Sequence, residues 1–409
     1  MSVGVFLFHR DLRLEDHFPL QKALNKGTVI PVFIFTPEQA SSSAPVRSLK
    51  SLACLVNSLK DLSEDLIHKF HTPLHLMYND VIQGLNQIFS HTKISFLVET
   101  KDYTPYAKLR EEAISDWCDR HSVEYEAIDD LYLFAPGFIR NKSGKIYQKF
   151  TPYYEAASKH SVPKPTGFVK GHFTKIPDGL SFKEIESKLF KNESPGPLYL
   201  EGGRKEGLKL LESLPSNYNS THDMIPVETS GLSVHHHYGT ISIRETYWTA
   251  KGRSKLTEFV RQLFWRDFYG QIIAFFEELY GENPYNFQTD WAPLTAQQIK
   301  DYNDWCNGTT GIPIIDASMH ELNQNGRMHN RLRLVTASWL VKTANVPWRF
   351  GEQYFANHLL DYDFTQNFCN WIMISPSRLP FSEPPFRKHT PENYQRRFDP
   401  DKEYVNQWL

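Results

Sequence analysis

The chain has 409 residues, 40% hydrophobic and 14% aromatic, enough for a sizeable core spread over two or three domains. A formal charge of -2 excludes a generally basic nucleic-acid coat, so any nucleic-acid contact must rest on local charge. Four scattered cysteines (Cys54, Cys118, Cys306, Cys369) lack zinc-site spacing and suit reduced thiols. The opening MSVGVFLFHRDLRLED is neither signal peptide nor membrane span, so a soluble, cytoplasmic protein is expected.

In chain order, residues 3–8, Thr28–Phe35 and 94–98 are apolar runs of strand length. Between them Leu49, Leu52, Leu55, Val56, Leu59 and Leu62 recur at helical spacing, and 106–118 reads as another amphipathic helix. The alternation predicts a parallel sheet with helices on both faces over residues 1–130. From 131 to 201 proline and glycine recur without long periodic segments, as in an extended connector running over a surface. Over 202–409 the pattern turns helical, most clearly at 254–280, 315–325 and 331–343. The expected architecture is an α/β domain, a linker and an all-α domain.

Several motifs carry chemistry. Thr229-Ser230-Gly231-Leu232-Ser233 sets hydroxyls beside a glycine just before a helical pattern, where free N–H groups and the macrodipole favour a phosphate. Taken alone it is an ordinary helix cap. On the next helix Gln262, Trp265, Arg266 and Tyr269 share one face. A glutamine, a flat ring and a guanidinium make a poor core stripe and a good wall for a planar ligand with hydrogen-bonding edges. Asn330 and Arg333 stand one helical turn apart. Asp361 and Asp363 repel each other unless compensated, and Arg333 is a natural partner for one of them. An acidic surface turn is the plain alternative for the two carboxylates, and a core position is that for Trp371. His235, His236 and His237 point in different directions on a helix, so no metal site is expected and they are read as covering a helix surface.

These motifs together resemble the photolyase/cryptochrome family. FHRDLRLED at 8–16 is similar to its opening strand and turn. Residues 229–233, 263–269, 311–317, 328–333 and 361–371 resemble its flavin-domain motifs in order, and 398–409 resembles its ending. The match spans nearly the whole chain and lies closest to class I cyclobutane pyrimidine dimer photolyases. It implies a Rossmann-like N-terminal domain and a helical FAD- and DNA-binding domain in a monomer. Tyr218, Thr229, Ser230, Gly231, Leu232 and Ser233 would hold the phosphates and ribityl chain of FAD. Arg266, Gln262 and Asn330 would bond the cofactor, Arg333 and Asp361 would flank its ring as an ion pair, Asp363 would hydrogen-bond it, and Asn367 would face flavin N5.

Asparagine at that last place accepts from a protonated N5, which suits reduced FADH⁻, whereas plant cryptochromes carry aspartate there and animal ones cysteine. The implied reaction is light-driven electron transfer from reduced FAD to a dimer flipped out of UV-damaged DNA. Trp265 would pack on the lesion, with Gln262 and Asn330 on its base edges and Met373 and Arg331 on the DNA side. Trp371, Trp348 and Trp291 would form the tryptophan chain that photoreduces the flavin. Over 321–349 five cations (Arg327, Arg331, Arg333, Lys342, Arg349) face one acidic residue, which supports a DNA face.

The sequence departs from the family at several places. Gln262 stands where such enzymes usually have glutamate, Met373 replaces a pocket tryptophan, Leu334 a methionine and Arg327 a tryptophan beside the adenine. His222 replaces an arginine, and Phe368 and Cys369 stand where small or polar residues are commoner. A photoreceptor without repair activity is the alternative function, together with a photolyase for another lesion. The photoreceptor reading would call for an output region beyond the catalytic core, where this chain stops. Residues 102–106 read as a plain turn into a helix. The resemblance adds an antenna chromophore in the cleft between the domains, whose type composition does not choose.

Overall fold

The computed structural model describes residues 2–191, 193–280, 293–375 and 389–409. Strands β1 (Val3–Leu7), β2 (Thr28–Phe35), β3 (His75–Tyr78), β4 (Phe96–Thr100) and β5 (Glu124–Ile128) form one parallel sheet in the order β3-β2-β1-β4-β5. Successive side chains leave opposite faces, and both faces are covered. Along β1, Val5 and Leu7 enter a cluster with the helices Val81–His91 and Pro105–His121. Phe6 and Phe8 enter the other, with the helices Phe18–Lys26 and Leu49–Phe70. Each such fully buried side chain stabilises the fold by roughly 1.5–3 kcal/mol.

The run expected at 94–98 forms a strand two residues later and is the fourth in the chain, not the third. Its polar end is buried because Glu99 is met by His9 and Tyr125, each at 2.5 Å, and Thr100 by Asp11 at 2.5 Å. Two strands carry no apolar run to announce them. β3 has four residues, and β5 is an edge strand in which Glu124 and Glu126 alternate with half-buried neighbours.

Residues 131–201 do more than cross a surface. They include the helices Phe150–Ala157 and Phe182–Phe190, and they bury Leu133, Phe134, Phe150, Tyr153 and Val169. Asp267 of the helical region accepts the N–H groups of Leu133 and Phe134 at 3.1 and 3.0 Å, which fixes the start of this segment. Proline and glycine hid these elements, because no apolar period is long enough to show.

The remainder is helical. Polar contacts tie it to the opening motif: Arg13 donates to the Gly239 carbonyl at 3.1 Å, Arg244 bridges Asp16 (2.9 Å) and Asp130 (2.8 Å), and Arg204 joins Glu15 to Glu245. The charges of FHRDLRLED thus serve the interface between the two halves, a role its spacing did not reveal. No described helix is long and apolar enough to cross a membrane.

Candidate active site

A cavity of about 1800 Å³ lies among the C-terminal helices. Typical small-molecule pockets hold roughly 300–1,000 Å³, so this one has room for a dinucleotide and part of a second ligand. Three helices supply most of its chemistry: Thr257–Phe275, Asn330–Lys342 and Phe364–Ile374.

Its floor carries charge that is already matched. Arg333 Nη2 donates to both oxygens of Asp361, at 2.9 and 3.0 Å, and its Nε donates to the Met328 carbonyl at 2.9 Å. Asp363 caps its helix by accepting the Gln366 N–H at 3.1 Å. Its partner is Arg10 of the N-terminal domain, which also meets Asp102 at 3.4 Å. Burial works against the Asp363 charge, but Arg10 and then His237 hold its carboxyl well below the usual carboxylate range. Each of the two carboxylates has its own cation, so neither is a free surface charge.

One wall is the face expected on Thr257–Phe275: Gln262, Trp265, Arg266 and Tyr269 all line the cavity. Phe150 stacks on Trp265 with centroids 3.7 Å apart and planes 8° apart, which fixes the indole. Arg266 donates to the Leu131 carbonyl and lies over the Tyr132 ring. The Gln262 and Asn330 side chains line the cavity and make no hydrogen bond among the described residues.

Across from them lie Thr229, Ser230, Gly231 and Ser233, with Tyr218 beside them. Gly231 has a φ of 65°, the left-handed region that glycine adopts without strain, and this turns the chain into the helix Ser233–Tyr238. Leu232 differs from expectation. Its side chain is buried with Leu211, Leu214 and Phe259, away from the cavity, so only its backbone borders the turn. The histidine run also differs, since it does not cover a surface. His235 is 1% exposed, while His236 and His237 line the cavity. Burial, and then Arg266, push His236 down to about 3, so it is a neutral imidazole. Among the described residues no cluster could hold a metal ion.

Asn367 and Trp371 border a second, smaller pocket of about 60 Å³, whose lining shares Asn330, Arg333, Asp361 and Asp363 with the large cavity. Asn367 Nδ2 donates to Glu352, at 3.2 Å to the carbonyl and 3.1 Å to Oε1, which leaves its own carbonyl oxygen to face elsewhere. Burial pushes the Glu352 carboxyl up to about 7. Trp371 fits because its helix crosses Gly351, where any Cβ would meet the indole at 2.2 Å. Trp348 is half-buried and meets Phe368 at 5.3 Å. Trp291 lies outside the described residues. Phe368 and Cys369 point into the core and do not line the cavity.

The mouth includes Met373, Leu334 and Arg327. Arg331, expected to meet DNA, is held by Asp223 at 2.6 Å, and Arg327 is shared between Glu228 (3.0 Å) and Glu321 (3.1 Å). Lys149, Arg261 and Arg397 also line the cavity and were not singled out, because they come from distant stretches with no common motif. Arg10, Phe150 and Glu352 also escape a local pattern, while His236 and His237, read as a helix surface, line the cavity instead.

Known proteins supply a frame for this geometry. The family described as DNA photolyase matches residues 4–169, and the FAD binding domain of DNA photolyase matches 259–409. The chain is 30% identical to a deoxyribodipyrimidine photo-lyase of Streptomyces griseus, covering 100% of this chain and 90% of that protein. It is 28% identical to Cryptochrome-2 of Arabidopsis thaliana, over 98% of this chain and 69% of that one. The crystal structure of an archaeal photolyase from Sulfolobus tokodaii, which contains two FAD molecules, superposes with a TM-score of 0.85 at 32% identity, over 100% of this chain and 90% of that one. With its parallel sheet, its helical FAD-binding domain and its paired floor, the chain belongs to the photolyase/cryptochrome family.

Proposed function

We propose that the chain repairs cyclobutane pyrimidine dimers in UV-damaged DNA under light, with reduced FAD in the helical cavity. The observation that carries this reading is the continuity of the cavity. One space joins a charge-matched floor to a wall where the Gln262 and Asn330 side chains have no hydrogen-bond partner among the described residues. The donor set fits a flavin dinucleotide: hydroxyls at Thr229, Ser230 and Ser233 for phosphates, and Arg333–Asp361 for the ring. When bound and reduced, the flavin supplies an electron to the dimer on illumination and recovers it after the ring opens. The chain's own residues bind and orient. Glu352 turns the Asn367 amide so that its carbonyl oxygen is the free acceptor for an N–H. Trp265, backed by Phe150, offers its other face to a flipped base, while Gln262 and Asn330 offer donors and acceptors to its edges. Lys149, Arg261 and Arg397 supply positive charge for phosphates at the mouth, so binding weakens with salt.

An antenna chromophore is read at the crevice beyond the carboxyl ends of β1 and β4, where the strand order switches direction. Arg110 Nε and Nη2 are buried there without a hydrogen-bond acceptor, beside Glu99 at 3.6 Å. Thr104 and Pro105 begin the helix Pro105–His121, so residues 102–106 are also the turn expected of them.

The test is repair of UV-irradiated oligothymidylate by the photoreduced protein, followed through recovery of thymine absorbance. Recovery that needs both light and reduced flavin supports repair of cyclobutane dimers. Bound FAD and normal photoreduction without recovery would favour the photoreceptor reading or another lesion. Met373 and Gln262 at the lesion side of the mouth are the residues that favour that second reading.

A further inference from the structure

The turn that brings Thr229 and Ser230 to the cavity is weakly anchored by its own backbone. Pro226, Val227, Glu228 and Thr229 are all exposed, between the buried side chains of Ile225 and Leu232. Among the described residues, no backbone group of 226–231 bonds to a distant part of the chain. The tie is a side chain. Arg327 grips both oxygens of Glu228, Nη2 to Oε2 at 3.0 Å and Nη1 to Oε1 at 3.2 Å. The Tyr199 hydroxyl donates to the same Oε1 at 2.6 Å. Two-pronged, charge-assisted contacts of this kind fix geometry as well as adding energy.

Arg327 is itself anchored. Its Nη1 also reaches Oε1 of Glu321 at 3.1 Å, and its guanidinium lies 4.6 Å over the Tyr199 ring. Glu321 is 1% exposed and accepts the Tyr404 hydroxyl at 2.7 Å. Gly326 sets where Arg327 begins. It ends the helix Pro313–Asn325 with a φ of 70°, and any Cβ there would meet the His358 carbonyl oxygen at 2.9 Å. One residue beyond Arg327, the Met328 carbonyl accepts from Arg333 of the floor. Tyr199, Glu228 and Arg327 all line the cavity, so this set of contacts runs along its edge from the hydroxyl turn to the segment that supports the floor.

We propose that Glu228, Arg327 and Tyr199 form a clasp that holds residues 226–231 against the helical wall and so sets the rate at which FAD is exchanged. The inference rests on FAD occupying the cavity. The three are positioning residues: they act through the turn and its hydroxyls, not on the reacting atoms. A segment tied through one side chain moves when that tie opens, and Thr229 and Ser230 move with it. The Glu228 side chain is 68% exposed, so salt screens the pair and loosens the clasp.

The experiment is release of FAD from the loaded protein after dilution, read by flavin fluorescence over a series of salt concentrations. The proteins compared are the wild type, Glu228→Gln, Tyr199→Phe and Arg327→Lys. Glu228→Gln should release FAD about threefold to tenfold faster than the wild type at low salt, and the difference should close as salt is raised. Tyr199→Phe, which removes one hydroxyl, should give a smaller increase. Glu228→Gln keeps the Arg327–Glu321 pair, so the test stays open if Arg327→Lys does not fold. Amide hydrogen exchange on the protein without FAD gives a second reading. Residues 226–231 should exchange faster in Glu228→Gln, while the helix Asn330–Lys342 should not change. A wild-type release rate in Glu228→Gln at low salt would overturn the proposal, and so would an acceleration that salt does not erase. A wild type that takes up no FAD would refute the cavity reading, whereas unchanged exchange at 226–231 would refute the clasp alone.

Discussion

The floor and the mouth of the cavity are built on opposite principles. On the floor Arg333 holds Asp361 and Arg10 holds Asp363, so the charges are matched within the chain itself. Nearer the mouth the Gln262 side chain, and between mouth and floor that of Asn330, make no hydrogen bond among the described residues, and Met373 receives a long contact, 3.6 Å, from the Tyr269 hydroxyl. A floor matched in advance costs no rearrangement when a resident cofactor arrives. A mouth with unpaired polar groups gains most when a transient ligand supplies their partners, and that gain becomes discrimination.

The strongest way to break this contrast is at the floor. Asp363→Ala leaves Arg10 with only the longer Asp102 contact and should destabilise the protein by about 2–3 kcal/mol in denaturant titration. A change below about 1 kcal/mol would mean that the floor is not prepaired in solution. The next effect depends on pH. Glu352 is an acid whose folded value, about 7, lies above its ordinary 4.5. Below about pH 4.5 it is neutral in both states and costs nothing. As pH rises towards 7 only the unfolded chain releases its proton, so the protein without cofactor should lose roughly 3 kcal/mol across that window, and no more above it. Glu352→Gln should flatten the profile, which urea unfolding at a series of pH values would read.

Changes at the mouth should be smaller and should spare flavin content. Met373→Trp restores a flat face for the flipped base and should tighten damaged-DNA binding by about 1–3 kcal/mol. An unchanged dissociation constant would remove Met373 from the lesion contact. Gln262→Glu exchanges a neutral for a charge-assisted hydrogen bond, and should raise repair yield by an amount equivalent to about 1 kcal/mol. An equal or lower yield would show that the amide already serves the lesion.

How much of this the sequence disclosed follows from how local each feature is. The Gln262–Tyr269 stripe and the spacing of Asn330 and Arg333 are set by helical periodicity alone, and they line the cavity as expected. Pairing of Arg333 with Asp361 was legible because two close carboxylates demand a cation. The partner of Asp363 was not, because Arg10 lies 353 residues away and no local pattern links them. Phe150 hides within a proline-rich stretch, and the burial of His235 depends on packing that a six-residue helix does not advertise. The edge strand β5 escaped for a similar reason, since its glutamates lie at the sheet's rim.

The bond between Arg10 and Asp363 also has a meaning for biosynthesis. A ribosome makes the N-terminal half first, and that half emerges with Arg10 and Glu15 lacking their partners Asp363 and Arg204, which are still to be translated. Contacts so distant in sequence close late and slowly, and the waiting intermediate exposes an unfinished face. The cavity is therefore no transplantable module. Cut from its first ten residues, it would lose the cation under its floor, and the halves would have to be made together to be made well.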